Sequence, residues 1–319
     1  MKHYLSQSAL DSSVAIRAPS QQAALRSFGI SISLLTVIGH GFLGFEQSIA
    51  QPLVAMLTAY SMQLTLEWTH ALSIKATPRF SGGVKQLIDF LLPAHIVALS
   101  ISMLLYFNDR LWIVAFATSV AIASKSVFRI PTSSGSSHFL NPSNLGLTTT
   151  FLLFPSVGVT MPWQWTTELS GAADWAFPVL VFALGTVLHL KYADRLWVVV
   201  AFLVTFLGQA LFRGVSPDVN VLTALAPLSG VPLAIFTFYM VPDPATSPCT
   251  RGPQIVFGAG IAFVYMVLML LHVVFALIFA LTIACIIRGI AVWVLAHPSP
   301  HRISAKRDFA ATESHPTNT

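Results

Sequence analysis

A chain of 319 residues with 55% hydrophobic side chains, only 9% charged ones and a mean hydropathy of +0.74 lies outside the range of a soluble globular domain and excludes a fold with a polar shell. The formal net charge of +5 would suit an anionic partner in a soluble protein, but in a membrane protein Lys and Arg record topology, so no nucleic-acid ligand is expected. Cys249 and Cys285 stand far apart without CxxC spacing, which leaves no disulfide framework, iron–sulfur cluster or zinc site to argue.

Residues 1–27 carry Ser, Gln and scattered charge without the apolar stretch of a signal peptide, and read as a cytoplasmic segment. A bilayer-spanning helix takes about 20 mostly apolar residues. Ten such runs follow, near 28–45, 50–74, 86–107, 110–125, 145–161, 173–190, 195–212, 221–240, 254–271 and 274–295. No Gly or Pro marks a turn near His272, but the apolar run from Gln254 to Leu295 is about twice one span, so two helices fit it. The expected fold is an all-α polytopic membrane protein of about ten transmembrane helices, with the lipid bilayer around a single domain at 28–295. A polar, disordered tail at 296–319 ends it.

Charge orients these helices. With the N-terminus inside, all but Arg110 and Arg213 of the 17 Lys and Arg residues fall on the inner side. A missed or extra helix would flip every later segment and spoil that asymmetry, so both termini are expected in the cytoplasm.

Asp109-Arg110-Leu111-Trp112, opening the fourth run, recurs as Asp194-Arg195-Leu196-Trp197 at the seventh. A second echo sets Pro142 and Leu147-Thr148 against Pro217 and Leu222-Thr223. Starts an odd number of spans apart lie on opposite faces, the pattern of an inverted repeat. The plainer reading is an interfacial anchor used twice.

The longest polar stretch between two runs is Lys125 to Gly146. Its hydroxyl residues and Gly135 let a backbone close around a ligand, and Asn141 and Asn144 offer donors and acceptors beside the free N–H groups of the fifth helix. Alternatively Asn144 or Ser143 caps that helix and the Ser run is a plain loop. In Val241-Pro242-Asp243-Pro244-Ala245-Thr246, Asp243 could accept from a ring N–H, pair with Arg251 or cap a turn. His40, His70, His95 and His189 fall inside runs without ligand spacing, which suits hydrogen-bonded or interfacial histidines rather than a haem or metal site. Glu67 and Asp89 flank the turn that carries Lys75, Arg79 and Lys85 and can pair there.

Asn141-Pro142-Ser143-Asn144-Leu145-Gly146, leading to Leu153-Phe154-Pro155, resembles the Asn-Pro-Phe-Asn-Pro-Ala segment of the RnfD/NqrB family, the membrane-embedded flavin carriers of Rnf complexes and of the sodium-pumping NADH:quinone reductase. Leu228-Ser229-Gly230, Asp243-Pro244-Ala245-Thr246, Arg251-Gly252 and Ile255-Val256-Phe257-Gly258 resemble the same family, where an Asp-Pro-Val-Thr type loop precedes the ninth helix. The likeness covers about residues 85–270 and implies a membrane electron-transfer subunit with a flavin, riboflavin or FMN.

In that family FMN is attached through its phosphate to the Thr of a Ser-x-Ala-Thr type motif. Here Ser170-Gly171-Ala172 is followed by Ala173, so the acceptor hydroxyl is missing and a non-covalent flavin is expected at the cytoplasmic loops. Asn141, Asn144, Asp243 and Thr246 are the expected contacts. Lys125 either faces an anionic flavin or marks the inner side. The short loops are similar to those of stand-alone relatives associated with enediyne biosynthesis. No Gly-rich nucleotide fingerprint is present, so reduction by NADH would need other redox subunits. A small-molecule or ion transporter is the competing reading, suggested by the inverted echo and the missing Thr.

Overall fold

The computed structural model describes residues 19–132, 135–190, 194–216 and 219–296. Most of the expected N-terminal segment and nearly all of the polar tail lie outside those residues, as do Ser133, Ser134, Lys191, Pro217 and Asp218. All ten apolar runs form helix. Helix α1 (Pro19–Ile38) continues as a π turn to Leu43 and stops at Gly44, whose φ of 68° suits a residue without Cβ. Helices α2 (Ala50–Ser73) and α3 (Val84–Leu104) lead to the short strand β1 (Leu105–Tyr106). Helix α4 (Leu111–Val127) ends in a hairpin of β2 (Arg129–Thr132) and β3 (Gly135–His138).

Helix α5 (Pro142–Leu153) follows, and then β4 (Gly158–Val159), which pairs antiparallel with β1. Helices α6 (Ala176–Leu188) and α7 (Leu196–Arg213) come next, then α8 (Val221–Leu225) with a 3-10 turn to Ser229. Helix α9 (Val231–Ile235) continues as a π turn to Met240, and α10 (Arg251–Leu270) and α11 (Ala276–Ala296) close the described chain.

Among the described residues six helices are long and apolar enough to cross a membrane: Gln22–Leu43, Val84–Leu104, Gly171–Leu188, Leu196–Arg213, Arg251–Leu270 and Ala276–Leu295. A seventh crossing exists if Val221–Ser229 and Val231–Met240, bent by 68°, count as one span. The chain is an integral membrane protein of the all-α class. The expected count of ten therefore meets three kinds of exception, each with a local cause. Helix α5 stops after 12 residues because Pro155 holds Phe154 in an extended conformation, φ −124° and ψ 89°; at 1.5 Å per residue it covers about 18 Å of a core about 30 Å thick. The 221–240 run breaks where Gly230 turns extended before Pro232, which lacks an N–H to continue the ladder. Helix α4 is apolar but has 17 residues, and α2, though 24 residues long, carries Gln51, Gln63, Glu67 and His70.

Hydrogen bonds sort the loops into two ends. At one, the Glu46 N–H donates to Gln164 O at 2.9 Å, Gln47 Nε2 to Thr160 Oγ1 at 3.0 Å, and Gln51 Nε2 to Ser102 O and Leu105 O at 2.8 and 2.7 Å. At the other, Arg26 pairs with Asp89 and Arg79 with Glu67, each at 2.7 Å, so Glu67 finds a cation of the expected turn while Asp89 turns instead to α1. Arg129, beside Arg79, is held in the hairpin by Ser136 Oγ at 3.1 Å and by Lys125 O at 3.1 Å. Burial, and next the Arg79 cation, pull the Arg129 guanidinium below the usual arginine value.

Between the ends the interior is close-packed aromatic and aliphatic side chains, Phe202, Phe206, Phe236, Trp165 and Phe177 among them. Two helix pairs approach so closely that only glycine fits. A Cβ on Gly146 of α5 would sit 2.4 Å from Ala117 O of α4, and one on Gly258 of α10 would sit 2.3 Å from Val198 O of α7.

Candidate functional site at the α5 start and the 243–249 loop

The site begins with a helix start. Asn141 is extended (φ −65°, ψ 120°), and its Oδ1 accepts from the Asn144 N–H and the Ser143 hydroxyl, both at 3.0 Å. Pro142 occupies the first turn, where a missing N–H costs nothing. Asn141 Nδ2 then donates to Met240 O at 3.0 Å. That bond joins the start of α5 to the end of the broken α8–α9 pair, three residues before Asp243.

Asn144 faces the other way. Its Nδ2 donates to Ile278 O at 2.9 Å and Thr282 Oγ1 at 2.7 Å, and Thr148 Oγ1 meets Thr282 Oγ1 at 2.7 Å. This buried polar seam fixes α5 against α11, which neither the loop reading nor the ligand reading of Asn144 anticipated. Asn144 Oδ1 is buried without a partner among the described residues, and an acceptor left unmet in this way costs about 1–3 kcal/mol.

Asp243 caps its own turn: Oδ1 accepts from Ala245 N at 3.2 Å, Oδ2 from the Thr246 hydroxyl at 3.0 Å, and its carbonyl from Ser247 N at 2.8 Å. Thr246 is buried while Asp243 is half-exposed with lone pairs left over. Arg251 does not pair with it; the guanidinium lies 3.7 Å above the Trp197 ring. Lys125 sits half-buried in the last turn of α4, below the hairpin, where its carbonyl serves Arg129.

The structure therefore unites Asn141 with the Asp243–Thr246 loop and sends Asn144 to α11. It also adds residues the motifs did not mark. Arg195, 8% exposed, donates to Ser247 Oγ at 3.1 Å, Cys249 Sγ at 3.3 Å and Asp194 O at 3.2 Å. Gln254 donates to Asp194 O at 2.9 Å and Cys249 O at 3.2 Å. Arg288 and the Cys285 thiol lie within electrostatic reach of Asp243. The one sequence signal for this cluster was the second Asp-Arg-Leu-Trp copy, which gave no hint that its Arg is buried.

As a flavin seat the set is uneven. Asp243 fits, since it offers a half-exposed carboxylate in electrostatic reach of Arg288, on the loop whose Ser247 holds Arg195. Asn141 has one amide hydrogen to spare and Asn144 one buried oxygen; their remaining bonds hold helices together. Two hollows lie elsewhere: an apolar groove of about 530 Å³ along α6, lined by Trp175, Phe182, Thr186 and Leu228, and one of about 480 Å³ beside Arg26, Lys85 and Asp89. Among the described residues no three His, Cys, Asp or Glu side chains gather as metal ligands. No protein-family model matches the chain, and no curated protein does.

Proposed function

We propose that this chain is a membrane electron-transfer protein of the RnfD/NqrB kind, the flavin-carrying membrane component of Rnf complexes and of the sodium-pumping NADH:quinone reductase, working with other redox subunits. In this reading a riboflavin or FMN is held non-covalently at the charged end of the bundle. One observation carries it: Asn141, in the first segment that resembles the family's motifs, donates from Nδ2 to Met240 O at 3.0 Å, three residues before the second such segment at Asp243–Thr246. Around that contact, the half-exposed Asp243 carboxylate can orient a ring N–H. Arg195, fixed on Ser247 and Cys249, and Arg288 supply positive charge beside it. A bound flavin would supply one- and two-electron chemistry there; the protein supplies its position and potential.

The same reading takes all ten helical segments as layers between two membrane faces, with α5 and the α8–α9 pair as incomplete crossings buried in the protein. It makes α4–α5 and α7–α8 inverted counterparts, puts the charged end and both termini in the cytoplasm of a bacterial plasma membrane, and follows the positive-inside rule.

Purification in mild detergent from flavin-replete cells, followed by a visible spectrum before and after acid denaturation and filtration, tests it. A yellow, filterable chromophore lost in Asp243→Ala is expected; a colourless protein overturns the reading. A transporter is the second reading, favoured by the 68° break at Gly230, because discontinuous helices line many transport sites. Solute flux from proteoliposomes made with a flavin-free preparation would establish that reading instead.

A further inference from the structure

Away from that end, three helices meet at an intramembrane histidine. Ser33 of α1 lies 2.8 Å from His95 Nε2 on α3, and the Tyr60 hydroxyl of α2 lies 2.7 Å from His95 Nδ1. The proton positions follow from counting donors. Ser33 has one hydroxyl hydrogen and gives it to Gly29 O at 2.7 Å, so toward His95 it can only accept. His95 Nε2 must carry the hydrogen, Nδ1 is bare, and Tyr60 donates to it. Both ring nitrogens are thus committed to groups that can also serve an imidazolium.

Ionisable side chains inside a bilayer are costly and are retained for use. The geometry points to His95 as a proton-binding site within the membrane, poised by Tyr60 and Ser33. A proton delivered by water adds at Nδ1 while the Tyr60 O–H rotates from donor to acceptor; Nε2–H stays on Ser33, and release reverses both moves. No bond other than N–H and O–H changes, and the proton returns to water. Both Tyr60 and His95 are half-buried rather than sealed in the packed core.

The charged and titratable groups on the neighbouring elements do not compete for this role. Arg26 and Asp89 neutralise each other at 2.7 Å, and Glu67 is held by Arg79. His40, two turns along α1, has its Nδ1 on Thr36 O at 2.9 Å. His189 has Nε2 on Phe238 O at 2.8 Å, and Tyr239 is bonded to Ser31. The inference does not depend on the flavin reading, and its outcome is independent of any chromophore.

Histidine ring-nitrogen NMR on the ¹⁵N-labelled protein in lipid nanodiscs tests it. One imidazole signal, absent in His95→Gln, should show the Nε2–H form on the alkaline side and convert reversibly to the doubly protonated form between about pH 8 and 5. Tyr60→Phe, which keeps the ring and its packing, should weaken that proton binding roughly tenfold, because the imidazolium loses a hydrogen-bond acceptor. Ser33→Ala should admit the Nδ1–H form. A signal that stays neutral across the range, or titrates identically in Tyr60→Phe, overturns the proposal.

Discussion

At 109–112 and again at 194–197 the chain reads Asp-Arg-Leu-Trp, and both copies do the same thing with their backbone. Asp109 and Asp194 sit in the left-handed region, φ 61° and 49°, a conformation Asp tolerates better than most side chains. Arg110 and Arg195 then occupy the cap position of α4 and α7, and their carbonyls accept from Ile113 N at 2.8 Å and Val198 N at 3.1 Å. The side chains part company. Arg110 is exposed, and Trp112 meets the Phe154 ring edge-on at 5.2 Å. Arg195 is buried in hydrogen bonds to the 243–249 loop, and Trp197 lies under Arg251. One local code starts two helices; what packs over the start decides whether the arginine anchors an interface or organises a site.

The helix contacts behind the two copies should be the hardest to alter. Gly146→Leu and Gly258→Leu each drive a side chain into a backbone carbonyl, so each should lower stability by about 3 kcal/mol, read as a fall in thermal unfolding midpoint in detergent. Wild-type midpoints would show that the helices are not in close contact. The arginines come next and should separate the copies: Arg195→Ala strands Ser247 and Cys249 and should lose about 2 kcal/mol, whereas Arg110→Ala should stay within about 0.5 kcal/mol. Equal losses would mean that burial does not distinguish them.

The caps give a smaller contrast. Asn141→Ala removes both a cap and the Met240 bond, and should cost about 1–2 kcal/mol with faster hydrogen exchange in the first turn of α5. Asn220→Ala removes only the bond to the Leu222 N–H at 2.8 Å, at the exposed start of a five-residue helix, and should cost about 0.5 kcal/mol. Smallest of all, Arg251→Ala should cost about 0.5–1 kcal/mol and change the emission of Trp197 as the cation leaves its ring.

Much of this architecture was legible along the chain. All ten apolar runs are helical, and Glu67 meets Arg79 of the turn as expected, whereas Asp89 pairs with Arg26 of α1 rather than with a turn cation. Helix lengths were less legible: the 145–161 run held an early stop at Phe154-Pro155 whose effect hydropathy averaging conceals. At the site, a cap at the start of α5 could be read, but on Asn144 or Ser143, whereas Asn141 fills that place; its bond to Met240, 99 positions away, could not be read at all. Arg195 looked like a marker of the inner side, because a charge count carries no information on what covers the charge.

Hydropathy and charge alone settled the class of this protein, an all-α integral membrane chain, because the cost of moving apolar surface and backbone between water and lipid is additive along the sequence and needs no knowledge of neighbours. The full-length crossings, the broken pair, the Asn141–Met240 junction and the placing of His95 between Ser33 and Tyr60 were decided only in three dimensions. Each depends on which donor finds which acceptor across helices far apart in the chain, and short-range hydrogen bonds of that kind leave no period in the sequence.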